Sequence, residues 1–193
     1  MKDKIFVKLG FIIPFIFWTT TIICGYIFTD YNHLTNIVSA LGEIGTKSQF
    51  IFTTGLVLSA VLSVFFIIGL LKICKKNGLN KFPILIILTF TFSIAGAGLF
   101  PLPLRLHGIL GSPSILLFLS PFFSIILWKV EKIPNIRIFA TLSILIMSLG
   151  FLAFFPNILS SYPGLKQRFF HLGWSIWFIY LSSEFSKLNE NEI

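Results

Sequence analysis

Six long apolar runs, each closed by a cluster of polar or basic residues, set the rhythm of this chain. They cover about residues 9–28, 48–71, 82–100, 112–128, 138–158 and 168–183. Each comes close to the roughly 20 residues that an α-helix needs to cross a bilayer. The predicted fold is all-α: a polytopic membrane helix bundle of six transmembrane helices, forming one domain over residues 1–193. Gly55, Ser59 and Ser63 repeat at intervals of four, the spacing that lets two membrane helices approach closely. Pro14 marks an expected kink in the first run, and Pro83 sits in the first turn of the third, where proline is tolerated. The first run follows Lys2, Lys4 and Lys8 like a secretory signal, but it is longer than a signal core and has no small-x-small site, so it is expected to remain as a span.

The connection over 29–47 is the longest polar segment. Within it Asn32, Asn36, Ser39 and Glu43 recur at spacings of four, three and four, which places them on one face of a short amphipathic helix on the membrane surface. Gly42 and Gly45 would end that helix. A solvated loop is the alternative.

Composition agrees with a membrane protein. Of 193 residues 55% are hydrophobic and only 11% charged, with a mean hydropathy of +0.92, whereas about a quarter of residues are charged in soluble domains. The net charge of +8 does not point to nucleic acid, because the basic residues stand at the ends of the apolar runs, where they set topology and meet anionic lipid. Counted by side, 11 of the 15 Lys and Arg residues fall with the termini and the connections 72–81 and 129–137, and 4 fall on the other side. The positive-inside rule then puts both termini in the cytoplasm of a bacterial or archaeal cell. Membrane lipids are the expected partners, and a homo-oligomer is left open. Cys24 and Cys74 belong near opposite faces and imply no disulfide.

That topology collects all three histidines, His33, His107 and His171, on the extracytoplasmic side, together with Arg105, Arg168, Lys47, Lys166 and the acids Asp30 and Glu43. Arg105 and His107 lie in a turn, Phe100-Pro101-Leu102-Pro103-Leu104-Arg105-Leu106-His107-Gly108, that reads as a hairpin tip. Arg168, His171 and Ser175 share one helical face beside Trp174. Trp174 and Trp177 read as interfacial anchors. The expected site is a shallow pocket for an anionic headgroup or small anion. Arg105 and Arg168 would bind the anion, because a guanidinium can meet two acceptor oxygens at once. His107, His171 and Ser39 would be hydrogen-bonding neighbours, and Asp30 and Glu43 ion-pair partners of the arginines. The plainer alternative is that those ion pairs only fasten the loop tips together.

Two other chemistries are weaker. Zinc could draw on His33, His107 and His171, but no HxxxH or HxxH spacing exists and the neighbouring arginines repel a cation, so neither metal nor cofactor is expected. A membrane-embedded hydrolase using the histidines with Ser39 or a metal is the second functional reading, without a nucleophile elbow or zincin motif to carry it. No predicted span holds a charged residue at its middle, which speaks against ion-coupled transport.

Three segments in order carry a resemblance. They are Ser39-Ala40-Leu41-Gly42, then Gly98-x-Phe100-Pro101 followed by His107, then Gly164-x-x-Gln167-Arg168 leading to Trp174. On these residues the chain resembles the uncharacterised bacterial and archaeal membrane-protein family known as domain of unknown function 998. Members often have Asp where this chain has Ala40, and an acid where it has Gln167. The serine-x-x-glycine stretch also resembles, locally, the Frag1/DRAM/Sfk1 membrane proteins. Neither resemblance implies a reaction.

Overall fold

The computed structural model describes residues 2–190, whose regular structure is helical and forms six rods joined by turns. The first three are α1 (Lys2–Ile27), α2 (Gln49–Lys76) and α3 (Phe82–Leu99). The fourth is a broken rod, α4 (Arg105–Gly111), a 3-10 segment Ser112–Phe118 and α5 (Leu119–Leu127). Pro113 enters the 3-10 segment at its first turn and Pro121 enters α5 at its first turn, the positions where a missing N–H costs least. The fifth is α6 (Ile136–Gly150), continued by a 3-10 turn Phe151–Phe154, and the sixth is α7 (Pro163–Glu190). Arg105 and His107 therefore begin a helix, and the fourth run starts earlier than the sequence suggests. At the far end of α2, Gly78 takes a left-handed conformation (φ 61°) and Leu79 N–H bonds Cys74 C=O, a helix stop.

Five of the rods are long and apolar enough to cross a membrane: Ile5–Ile27, Gln49–Lys76, Phe82–Leu99, Arg105–Leu127 and Ile136–Phe154. Helix α7 is not among them, because Lys166, Gln167, Arg168 and His171 load its first turns. Yet α7 is the hub of the packing. It lies along α6 and α1, and Trp174, Trp177, Phe178 and Phe185 are fully buried. This corrects the interfacial role expected for Trp174 and Trp177. Polar bonds lock the hub in place: Trp177 Nε1 donates to Ser120 Oγ at 2.9 Å, Trp18 Nε1 to Ser175 Oγ at 3.0 Å, and Ser182 Oγ to Val7 O at 2.8 Å. The α1–α2 contact uses the small-residue stripe. A Cβ on Gly55 would collide with the Thr20 side chain, while Ser59 and Ser63 are buried and donate to the carbonyls of Gly55 and Ser59.

The 29–47 connection is helical only over a five-residue 3-10 turn, Val38–Gly42. Val38, Leu41 and Gly42 are buried against the bundle. Asn32 and Asn36 belong instead to a tight turn, in which Asn36 Oδ1 accepts from Asn32 N–H at 2.9 Å and Asn32 Oδ1 from Leu34 N–H at 2.9 Å. Side-chain amides that satisfy the local backbone in this way compete with a helix, so the predicted amphipathic helix is shortened to its last turn. This connection meets the other loops at one end of the bundle: Ile44 N–H bonds Leu102 O (2.8 Å) and Leu165 N–H bonds Leu34 O (2.9 Å). At the opposite end Trp128 Nε1 bonds Asn80 O and Lys132 Nζ bonds Asn77 O, both at 2.8 Å.

Candidate functional site

Residues 31–37 form a strap across the start of α7, and Arg168 is its clasp. Asp30, left-handed at φ 61°, turns the chain out of α1 into the strap. Arg168 Nη1 donates to Asn36 O (3.2 Å) and Gly164 O (3.1 Å), and Nη2 donates to the Tyr31 hydroxyl (2.9 Å) and to His33 Nδ1 (2.8 Å). The Tyr31 hydroxyl passes its own proton to Ile37 O at 3.0 Å. A guanidinium has no lone pair to offer, so His33 Nδ1 must be the acceptor and the ring is neutral. Burial, and secondly the charge of Arg168, hold the His33 pKa below its usual value. The strap fits because Gly164 has no side chain. A Cβ there would run into the carbonyl oxygens of Asn36 and His33.

This geometry corrects the expected ion pairs. Every acceptor on Arg168 is a neutral group, and neither Asp30 nor Glu43 pairs with Arg168 or Arg105; the ion pair found among the described residues, Lys187–Glu184, lies at the other end of the bundle. Asp30 is exposed in its turn, and Glu43 ends the 3-10 helix, where its N–H bonds Ala40 O and its carbonyl accepts from Thr46.

Beside the strap lies a cavity of about 320 Å³, enclosed by α3, α4, the 3-10 segments 112–118 and 151–154, the start of α7 and Phe17 of α1. That is at the small end of ligand-sized pockets, which run from about 300 to 1,000 Å³. Its wall is largely apolar, with Phe52, Leu56, Phe90, Ile94 and Phe170 among its members, and Ser39, Ser93, His107, Gln167 and His171 place polar groups in it. Ser39, His107 and His171, three of the predicted site residues, thus come together. Arg105, exposed at the first residue of α4, and Arg168, in α7 and bonded to the strap, are outside the wall.

The two cavity histidines are fixed in opposite tautomers. His107 Nδ1 sits 3.0 Å from Phe100 O and 3.2 Å from Ala97 O, and because carbonyls only accept, Nδ1 carries the proton. His171 Nδ1 accepts from Trp174 Nε1 at 3.1 Å, so its proton is on Nε2. Nε2 is buried and has no partner, and neither has the Ser93 hydroxyl. A buried donor without an acceptor is expensive, at roughly 1 to 3 kcal/mol. Gln167 ties the start of α7 to the 3-10 turn that follows the strap: Oε1 accepts from Val38 N–H (2.6 Å) and Nε2 donates to Ser39 Oγ (3.4 Å). The partner of Ser39 is thus an amide, and no histidine is bonded to it as a base would be.

Sequence reasoning passed over Gln167, Ser93 and Tyr31. Gln167 looked like an acid that had been lost, whereas its amide accepts from a backbone N–H with the oxygen and donates to a hydroxyl with the nitrogen, which an ionised acid could not do. The three histidines do not converge. His33 is spent on Arg168, His107 and His171 line the cavity, and no group of three His, Cys, Asp or Glu side chains suited to a metal occurs among the described residues.

No curated protein and no solved structure matches the chain. The local likeness to Frag1/DRAM/Sfk1 proteins gains no support. A family match spans residues 11–184, taking in the strap, the cavity wall and α7 up to Glu184. On that match the chain belongs to the family described as protein of unknown function (DUF998).

Proposed function

We propose that this protein spans the cell membrane six times with both termini in the cytoplasm, and binds a membrane amphiphile at its extracytoplasmic end. The ligand's apolar part lies in the cavity, and its polar part hydrogen-bonds with His171, His107, Ser39 and Gln167. One observation carries this reading: the His171 Nε2 proton, buried in the wall of an apolar cavity without an acceptor. A lipid carbonyl or phosphate oxygen supplies the missing acceptor. Access is sideways. Gly108, Ser112, Ala153 and Phe154 belong to the wall and are exposed, and α4 rests on α3 with open space beyond Gly108.

The charges support this orientation. Lys72, Lys75, Lys76, Lys81, Lys129, Lys132 and Arg137 gather at the end opposite the cavity, which the positive-inside rule places in the cytoplasm. Helix α7, with 28 residues, is about 42 Å long, enough to complete a sixth crossing of a core about 30 Å thick. Arg105, exposed at the rim, faces an anionic headgroup, while Arg168 keeps the strap in place. Native mass spectrometry of the wild type, His171→Phe and Arg105→Gln tests the reading. Lipid should be retained by the wild type, lost from His171→Phe and reduced for anionic species in Arg105→Gln. Equal retention by wild type and a folded His171→Phe would sink it.

A further inference from the structure

Lys166 is the most buried cation for which the structure gives a value, at 3% exposure, and no carboxylate pairs with it among the described residues. Its Nζ donates to Phe155 O at 3.1 Å, which uses one of its three N–H groups. It lines a second, shallow depression with Ile37, Pro156, Ser160 and Pro163, bounded by Ala153 and Gln167. Those last two residues also belong to the wall of the large cavity. A buried ammonium with one of its three N–H groups bonded and a buried imidazole N–H without a partner thus belong to residues that line adjoining hollows, which share Ala153 and Gln167.

An ammonium withdrawn from water needs a counter-charge, and no described residue provides one there. We propose that Lys166 is the anion anchor of the site: it binds a phosphate group, with Ser160 and Gln167 as hydrogen-bonding neighbours, while the chain of the same molecule enters the large cavity past His171. The ligand is then an anionic amphiphile, and its charge is read by Lys166 more than by either arginine. This inference rests on the amphiphile-binding reading above and adds the headgroup class to it. Arg168 has both terminal nitrogens bonded to the strap and to Gly164 O, and Arg105 is exposed, where water screens it.

Trp174 lies in the cavity wall and provides the readout. Purified full-length protein in a neutral detergent is titrated with phosphatidylglycerol carrying brominated acyl chains, with brominated phosphatidylcholine, and with inorganic phosphate. Bromine quenches tryptophan on contact, and a Trp18→Phe control removes the half-buried tryptophan that lies outside the cavity wall while leaving the Trp174–His171 bond intact. Phosphatidylglycerol should bind about tenfold more tightly than phosphatidylcholine, as expected for a hydrogen bond to a charged group. Lys166→Met should bring that ratio to about one, and Lys166→Arg should keep most of it. If Lys166→Met does not fold, Ser160→Asp places a carboxylate in the depression from an exposed position and should abolish the preference in the same way.

A preference for phosphatidylglycerol that survives Lys166→Met or Ser160→Asp overturns the proposal. So does equal quenching by both lipids in the wild type, which leaves the amphiphile reading standing. If neither lipid quenches Trp174, that reading falls and the anchor falls with it. Protection of the wild type by inorganic phosphate against thermal unfolding, absent in Lys166→Met and accompanied by no discrimination between the lipids, would make Lys166 a free-phosphate site and overturn its role as a lipid anchor.

Discussion

Trp174 donates its indole N–H to Nδ1 of His171, one helical turn back at 3.1 Å, and so decides which imidazole nitrogen brings a proton to the cavity. Trp174→Phe removes that donor and frees the ring to change tautomer. The loss of a buried hydrogen bond should cost about 1 kcal/mol of stability. Lipid retention should fall further than this figure implies, because the ring can then present an acceptor where the ligand needs a donor. Thermal unfolding in detergent beside native mass spectrometry separates the two effects.

The clasp makes a sharper demand. Lysine at position 168 offers a point charge in place of a planar fork and cannot reach Asn36 O, Gly164 O, Tyr31 and His33 together. Arg168→Lys should expose the amides of residues 31–37 to hydrogen exchange at least tenfold faster, about 1.4 kcal/mol, while α1 to α3 keep their protection. Unchanged exchange in the strap would falsify the clasp.

His33 accepts from Arg168 only while Nδ1 is bare. Its folded pKa is depressed, by burial first and by Arg168 second. The stabilisation is therefore complete above the unfolded value of about 6.5, and is lost as pH falls from there toward the folded pKa. Melting temperatures measured from pH 8 down should decline below that point in the wild type, and the decline should be shallower in His33→Gln.

Trp177 and Ser120 are both fully buried and joined at 2.9 Å, which ties α7 to α5. Ser120→Ala leaves the indole N–H unpaired and should cost roughly 1 to 3 kcal/mol. Ser120→Thr, which keeps the hydroxyl, should cost less. A comparison of chemical unfolding midpoints decides.

Orientation can be read directly. Single cysteines at positions 47 and 161, both exposed, should react with an impermeant maleimide in intact cells, and one at position 77 should not. The native Cys24 and Cys74 are buried and should stay silent. Labelling at 77 would reverse the topology and put the cavity in the cytoplasm.

The helical rods were legible because long apolar runs bounded by lysines leave little choice of structure. The close α1–α2 contact could be read too, since Gly55, Ser59 and Ser63 recur at helical spacing and each is buried. What escaped were interactions set by loops. The acceptors that hold Arg168 include the Asn36 carbonyl and the side chains of Tyr31 and His33, and no spacing rule places these around a guanidinium more than 130 residues away. The arginines therefore looked as though they needed Asp30 and Glu43. The burial of Lys166 escaped for a similar reason: its neighbours in sequence are polar, but the start of α7 packs against residues 155–163 and buries it.

The position of α7 bears on how the protein is made. Its first turns are too polar for the helix to partition into lipid as readily as the other five rods, yet its tryptophans and phenylalanines fill the centre of the bundle. In the proposed six-span topology, insertion of this segment is driven by the groove that α1 and α6 offer, so the earlier helices act as its receptor during biogenesis. Mutations that loosen that groove will appear first as a failure of α7 to enter the bilayer, with degradation during assembly in place of a less stable finished protein.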